Sequence, residues 1–237
     1  MNLIHKNDPK KSSALFGLQE EFDFLIDLLN TNKLPKILML SGKKGSGKFT
    51  LINHFLNYIF DKKNYDEKNN LINENTSFYN QYLNNVFQNI IYLSGNNFKN
   101  LKIEDVRNLK KIILKTALSN EKRFIIFDDI ELFNKNCLNA LLKIIEEPPI
   151  NNYFILINNK TKPLIETIYS RSLEIKISLT NQKRVNIINS LIKDRNLDVF
   201  IDFNLIHLTP GNFLSFNTIC KEHNFDFNEN FLNNLEK

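Results

Sequence analysis

The chain has 237 residues, of which 42% are hydrophobic and 24% charged, with a formal net charge of +5. Such a chain accommodates one large domain plus a small one and buries a real core, which excludes global disorder. Its mild basic surplus permits contact with nucleic acid without requiring it. Two widely separated cysteines, Cys137 and Cys220, exclude a disulfide framework and offer no metal-ligand spacing, which fits a reducing cytosol. The histidines (His5, His54, His207 and His223) are scattered, so neither metal binding nor nucleophilic catalysis is expected of them. Met1 to Lys11 is polar and unlike a signal peptide. No run approaches the roughly 18 apolar residues of a membrane span. The expectation is a soluble, cytoplasmic protein without zinc and without a membrane partner.

In chain order, five short apolar runs read as strands: Lys36 to Ser41, Asn89 to Leu93, Arg123 to Asp128, Tyr153 to Asn158 and Leu173 to Ile177. The first four are near-continuous, as in parallel strands covered on both faces; the fifth alternates and suits an edge. Helical spacing fills the intervals over Phe49 to Phe60, Ile103 to Leu118 and Asn136 to Glu147, the last stopped by Pro148-Pro149. Asp61 to Gln88 is rich in Asn and weakly patterned, and reads as a surface insertion or long connection. After Ile177 the pattern is helical only. Thr180-Asn181 caps a helix running to about Arg195, with further helices expected over Val199 to Leu208, Gly211 to His223 and Asn228 to Glu236. Alternation of strand and helix gives an α/β layer fold with a parallel sheet over residues 1–177, followed by a small helical domain over 178–237. A basic group (Lys99, Lys102, Arg107, Lys110, Lys111 and Lys115) could touch DNA phosphates, but a solvated helix face is the preferred reading.

Gly42, Lys43, Lys44, Gly45, Ser46, Gly47 and Lys48 follow the first strand and open the first helix of the strand-helix pattern. That is the setting of a P-loop. Glycines let the backbone wrap its N–H groups toward phosphate oxygens, the helix N-terminus adds a favourable dipole, and Lys48 reaches the outer phosphates. The full pattern then needs a Ser or Thr whose hydroxyl ligates Mg²⁺. Here Phe49 stands in that place and Thr50 follows it. One residue along a helix is about 100° of rotation, so Thr50 does not simply substitute. ATP or ADP binding is expected from the loop, while metal positioning and hydrolysis are weakened. Phe124 to Phe127 is an apolar strand ending in Asp128 and Asp129, the shape of a Walker B motif. Asp128 would hold the Mg²⁺ shell, and Asp129, one methylene shorter, occupies the place of the water-activating Glu.

Beyond these general motifs, Asn139 to Pro149 (Asn-Ala-Leu-Leu-Lys-Ile-Ile-Glu-Glu-Pro-Pro) closely resembles the signature of clamp-loader subunits of replicative DNA polymerases. Ile168 to Ser172 is similar to the Ser-Arg-Cys motif of that family, with Ser172 for the Cys. Phe16-Gly17, Leu34-Pro35 and Ile103 to Arg107 also fit. The resemblance spans about residues 14–215. It implies a P-loop AAA+ fold, a three-layer arrangement on a parallel five-stranded sheet with a small C-terminal helical lid, and it puts Asn159 at the sensor-1 position.

Phe49, Asp129 and Asn212, the last where the family's sensor-2 Arg would stand, depart from the motor pattern. They resemble the delta-prime branch of the bacterial DNA polymerase III clamp loader. On that resemblance the chain helps load the sliding clamp onto primed DNA in chromosomal replication. Arg171 would be the arginine finger presented in trans to a neighbouring motor subunit, and the clamp-opening delta subunit would be a further partner. The alternative is an active motor subunit, gamma/tau-like, or a related remodelling ATPase; a small P-loop kinase leaves the late motifs unexplained. The cysteine module of many bacterial relatives is missing, and the chain is too short to include the usual C-terminal collar domain.

Overall fold

A computed structural model describes residues 8–95, 111, 121–204 and 206–223. The expected helices over Ile103 to Leu118 and Asn228 to Glu236, and the basic group apart from Lys111, lie outside the described residues. The described elements in order are α1 (Gln19–Asn30), β1 (Ile37–Ser41), α2 (Lys48–Phe60), α3 (Ser77–Leu83), β2 (Ile90–Ser94), β3 (Arg123–Asp128), α4 (Lys135–Glu146), β4 (Asn152–Asn158), α5 (Glu166–Tyr169), β5 (Leu173–Lys176), α6 (Asn181–Arg195) and α7 (Pro210–Glu222), with short 3-10 turns at Pro9–Lys11, Lys62–Asn64 and Ile130–Leu132.

The chain divides into two compact units. One comprises Asp23–Gly42 and Glu74–Ile177; the other comprises Met1–Phe22, Lys43–Asn73 and Ser178–Lys237.

The first unit contains the sheet. Its five strands are all parallel, in the order β2-β3-β4-β1-β5, so the α/β fold class expected from the sequence is the one observed. Strands β1, β3 and β4 are central and buried nearly throughout, which is why they read as continuous apolar runs. Alternate residues face opposite sides. On one face Met39, Ile125, Phe127, Phe154 and Leu156 join Cys137, Leu138, Leu141 and Ile145 of α4 and Ile168 of α5 in a single core. Residues of the other face, including Leu40, Phe124, Ile126 and Ile155, are buried as well. Strand β5 forms one edge, as its alternation predicts. Strand β2 forms the other and is half-buried along its length, a difference from the fully covered strand expected, because an edge strand has one sheet neighbour only. Asn134 caps α4 by accepting from the Cys137 N–H at 2.9 Å, and the helix ends before Pro148-Pro149, as expected.

The second unit has its own apolar core of Ile187, Ile188 and Leu191 from α6 with Phe213 and Leu214 from α7, closed by Phe203. Phe203 meets Phe213 edge-on at 5.2 Å. Thr180 caps α6, and Asn196 in the left-handed conformation ends it. The helix expected over Val199 to Leu208 does not form among the described residues of that stretch. Its backbone groups are satisfied elsewhere: the buried Arg184 guanidinium donates to the carbonyls of Phe203 (2.8 Å) and Leu208 (3.3 Å), and Asn217 accepts from the Phe200 N–H at 2.8 Å. Side chains distant in sequence thus replace the i to i−4 ladder.

Asp61 to Gln88 also departs from expectation, because it is anchored rather than superficial. Tyr65 packs among Phe22, His54 and Tyr58, with ring centroids 5.6–5.9 Å from it. Further along, Phe78, Tyr79 and Tyr82 of α3 are buried. Phe78, Tyr79 and Tyr82 fall at helical spacing but within a helix of only seven residues, and Asn69, Asn70 and Asn75 lie in the turns before it.

Candidate nucleotide loop and exposed arginine

In the second unit, Lys43 to Lys48 wrap tightly before α2. The N-cap Gly47 gives α2 no side-chain cap, so its first N–H groups receive no side-chain acceptor from that position, the usual arrangement where an anion serves instead. Lys48 is only 2% exposed; its ammonium donates to the Lys43 carbonyl at 2.8 Å and lies 3.4 Å from Ser46 Oγ. The loop is thus folded around its own lysine.

The start of α7 holds the loop from outside. Thr209 stands at the N-cap of α7 but makes no cap bond to its own helix; its hydroxyl instead donates to the Lys44 carbonyl at 2.7 Å. One residue on from Pro210, the Gly211 N–H donates to the Gly45 carbonyl at 2.8 Å. Gly45 has φ +80°, and a Cβ there would lie 2.5 Å from Thr209 Oγ1 and 2.8 Å from the Asn212 nitrogen. Only glycine allows both the conformation and the approach. Asn212, placed by sequence at the sensor-2 position, therefore lies against the loop. Phe49 is buried, and Thr50 is half-buried. A hydrocarbon ring occupies the place where a metal-binding hydroxyl belongs.

In the first unit, Gly42 follows β1 with its N–H donating to the Asn158 carbonyl at 3.1 Å. A Cβ at Gly42 would sit 2.3 Å from the Ile177 carbonyl oxygen, so the strand exit is reserved for glycine. Asp128 closes β3. Its two oxygens accept from the Tyr92 hydroxyl (2.8 Å) and the Asp129 N–H (2.9 Å). Burial and the adjacent Asp128 carboxylate push the Tyr92 phenol far above its ordinary range, so it remains a donor. Asp129 is buried in the left-handed conformation, φ 52°, and accepts from the Asn159 amide at 2.6 Å. The structure thus brings Asn159, which the resemblance puts at the sensor-1 position, against Asp129. Sequence reading misses Tyr92 and Glu131. The buried Glu131 carboxylate accepts from the Asn159 N–H at 3.1 Å and the Thr161 hydroxyl at 2.8 Å, fixing the loop that carries Asn159. These partners are distant in sequence and carry no local signature.

The residues fit a phosphate better than a metal ion. Loop glycines, the α2 N-terminus and Lys48 suit a polyphosphate. Phe49 of the same unit supplies no ligand; in the sheet-containing unit, taken by itself, Asp128 has a hydrogen bond on each oxygen and Asp129 is engaged by Asn159. Among the described residues no group of three or more His, Cys, Asp or Glu side chains is placed to hold a metal.

Arg171 follows α5 and is 38% exposed. Its guanidinium meets Glu146 Oε1 at 3.0 Å and donates to the Thr167 carbonyl at 3.1 Å. Ser172 turns inward, its hydroxyl donating to the Ile168 carbonyl at 3.0 Å. Arginine and serine of this motif thus point to different surroundings.

Against known families, the model for "DNA polymerase III, delta subunit" matches residues 17–181. The chain belongs to the DNA polymerase III delta-subunit family. Curated relatives agree with membership of this family: the DNA polymerase III subunit delta' of Buchnera aphidicola subsp. Baizongia pistaciae is 30% identical over 145 residues, covering 61% of this chain and 42% of that protein. The subunit gamma of Buchnera aphidicola subsp. Schizaphis graminum is 28% identical over 93 residues, covering 39% and 26%. This DNA polymerase III family member spans less than half the length of those relatives. Among solved structures, AMPPCP-bound DnaA from Aquifex aeolicus aligns with a TM-score of 0.49 at 17% identity, covering 77% of this chain and 52% of that one. The clamp-loader resemblance drawn from the late motifs, and its delta-prime branch read from Phe49, Asp129 and Asn212, are borne out by the family match and the delta' relatives. Among the described residues of this family member, no helix is long and apolar enough to cross a membrane.

Proposed function

We propose that the chain acts as a non-motor, delta-prime-like subunit of a DNA polymerase III clamp loader, assembled with motor subunits and a clamp-opening delta subunit. In that assembly it serves clamp loading onto primed DNA in the cytoplasm. The observation that carries the proposal is the family match over residues 17–181 combined with the state of the two cations. Lys48 is withdrawn into its own loop, whereas Arg171 is exposed at the surface. Arg171 would serve a nucleotide held by the neighbouring subunit, where a finger in trans contributes about 10³ to 10⁵ in rate. The chain's own loop, Gly42 to Lys48, would retain ATP or ADP, with Asp128, Asp129 and Asn159 as inherited nucleotide-site positions. Weak metal binding follows from Phe49 and from the hydrogen bonds on Asp128. We also propose the division at residue 177 into an AAA+ domain and a helical lid. Arg171→Ala in the reconstituted complex should lower DNA-stimulated ATPase by about a thousandfold or more, the lower end of what a finger in trans contributes. An unchanged rate sinks the reading.

A second reading, an active gamma/tau-like motor, is favoured by the preserved loop and by similarity to gamma subunits. It requires Mg²⁺-dependent hydrolysis by the isolated chain that Lys48→Ala abolishes. Our proposal expects no turnover above background from either form.

A further inference from the structure

The two most specific sequence motifs of this chain lie 25 residues apart, and the structure joins them. Glu146 is the last residue of α4 and opens the Glu-Glu-Pro-Pro segment; Arg171 is the central residue of the Ser-Arg-Ser segment. Glu146 Oε1 and Arg171 Nη2 are 3.0 Å apart, while Arg171 Nη1 turns back to the Thr167 carbonyl. Both terminal nitrogens of the guanidinium are therefore engaged within this chain. A phosphate is best held by the same two nitrogens, as a bidentate pair. With these partners in place the guanidinium is turned toward Glu146 and Thr167 and its charge is already balanced by a carboxylate, so a phosphate must compete with Glu146 for it.

The pair is also weak by position. Glu146 is half-exposed and Arg171 more than a third exposed, so solvent screens their attraction, and ion pairs of this kind contribute little to folding. A polyphosphate carries several negative charges against one on Glu146, so it competes well for the guanidinium. Pro148-Pro149 fixes the end of α4 and with it the position of the carboxylate.

We infer that Glu146 is a positioning residue: it holds Arg171 as a counter-ion in the separate subunit and is displaced by nucleotide phosphate of the neighbouring subunit. The inference rests on Arg171 acting in trans, and it adds that engaging the finger requires breaking a contact inside this chain. Glu146 would thus set how readily the finger is released, without touching the nucleotide.

The test is a double-mutant cycle in the reconstituted complex, reading affinity for a non-hydrolysable ATP analogue together with kcat and KM for ATP. Glu146→Gln keeps the shape and removes the charge. It should tighten analogue binding and raise kcat/KM roughly two- to fivefold, the scale of an exposed ion pair, with the gain in KM. The gain should vanish when Arg171→Ala is also present, because Glu146 acts only through Arg171. Unchanged or weakened affinity in Glu146→Gln, or a gain that persists without Arg171, would overturn the inference and leave the finger reading intact. Should Arg171→Ala alone change neither rate nor affinity, the finger reading fails, and this inference with it. Melting curves of each purified subunit establish that the variants are folded.

Discussion

Two cations of this chain sit in opposite circumstances. Lys48 is buried and donates to the carbonyl of Lys43 in its own loop, and the start of α7 holds that loop through Thr209 and Gly211. Arg171 is exposed, and its strongest partner is a half-exposed carboxylate. A cation committed to backbone carbonyls shapes the loop that carries it. A cation balanced by a screened carboxylate is available to a more highly charged partner. On the proposed reading, the catalytic contribution of the chain lies at its surface, on Arg171, while the loop that resembles an ATPase site would hold nucleotide without turning it over.

Acid should sharpen this contrast most. His54 lies in α2, in the unit that contains Lys48. Its Nε2 donates to the Ser12 carbonyl at 3.2 Å, and its Nδ1 pairs with the Tyr65 hydroxyl at 3.0 Å. Burial lowers its pKa from the ordinary 6.5 to about 4. The unfolded chain therefore takes up a proton near pH 6.5 that the folded chain refuses until about pH 4. Stability is intact above 6.5 and should fall by roughly 3 kcal/mol as pH drops from there toward 4. Denaturant titrations at pH 7 and pH 4.5 measure this, and His54→Gln should flatten the slope. Equal slopes in the two proteins would show that His54 does not govern the unit.

A smaller effect is expected at the clasp on the loop. Thr209→Val keeps the volume and removes the donor to the Lys44 carbonyl. The bond is solvent-accessible, so the loss should be about 1 kcal/mol. It should speed hydrogen exchange at Gly211, whose N–H bonds the Gly45 carbonyl, while leaving exchange around Arg171 unchanged. Faster exchange in both regions would contradict the separation drawn between the two cations.

Much of this architecture is legible in the sequence. All five strands begin within one residue of the expected start, because central parallel strands advertise themselves as unbroken apolar runs. Thr180 marks the start of α6, and Pro148 marks the end of α4. What sequence reading misses is satisfied at long range. Val199 to Leu208 has an apolar pattern, yet Arg184 and Asn217 take its backbone groups. Helix α1, by contrast, carries Phe22, Leu25, Ile26 and Leu29 at helical spacing, a local signal that the sequence reading does not take up. At the site, glycine spacing and the acidic strand end are visible from residue types. The Tyr92 bond to Asp128, the Glu131 brace and the Glu146 contact with Arg171 join residues 25 to 36 positions apart, and no local signal encodes them.

The central claim is that the nucleotide served by this chain belongs to another subunit. The direct measurement is DNA-stimulated ATPase of the complex reconstituted with either Lys48→Ala or Arg171→Ala. The account predicts that Arg171→Ala lowers the rate by about three orders of magnitude or more, the lower end of what a missing finger costs, and that Lys48→Ala lowers it far less. Full activity with Arg171→Ala, or a larger loss with Lys48→Ala, would contradict it.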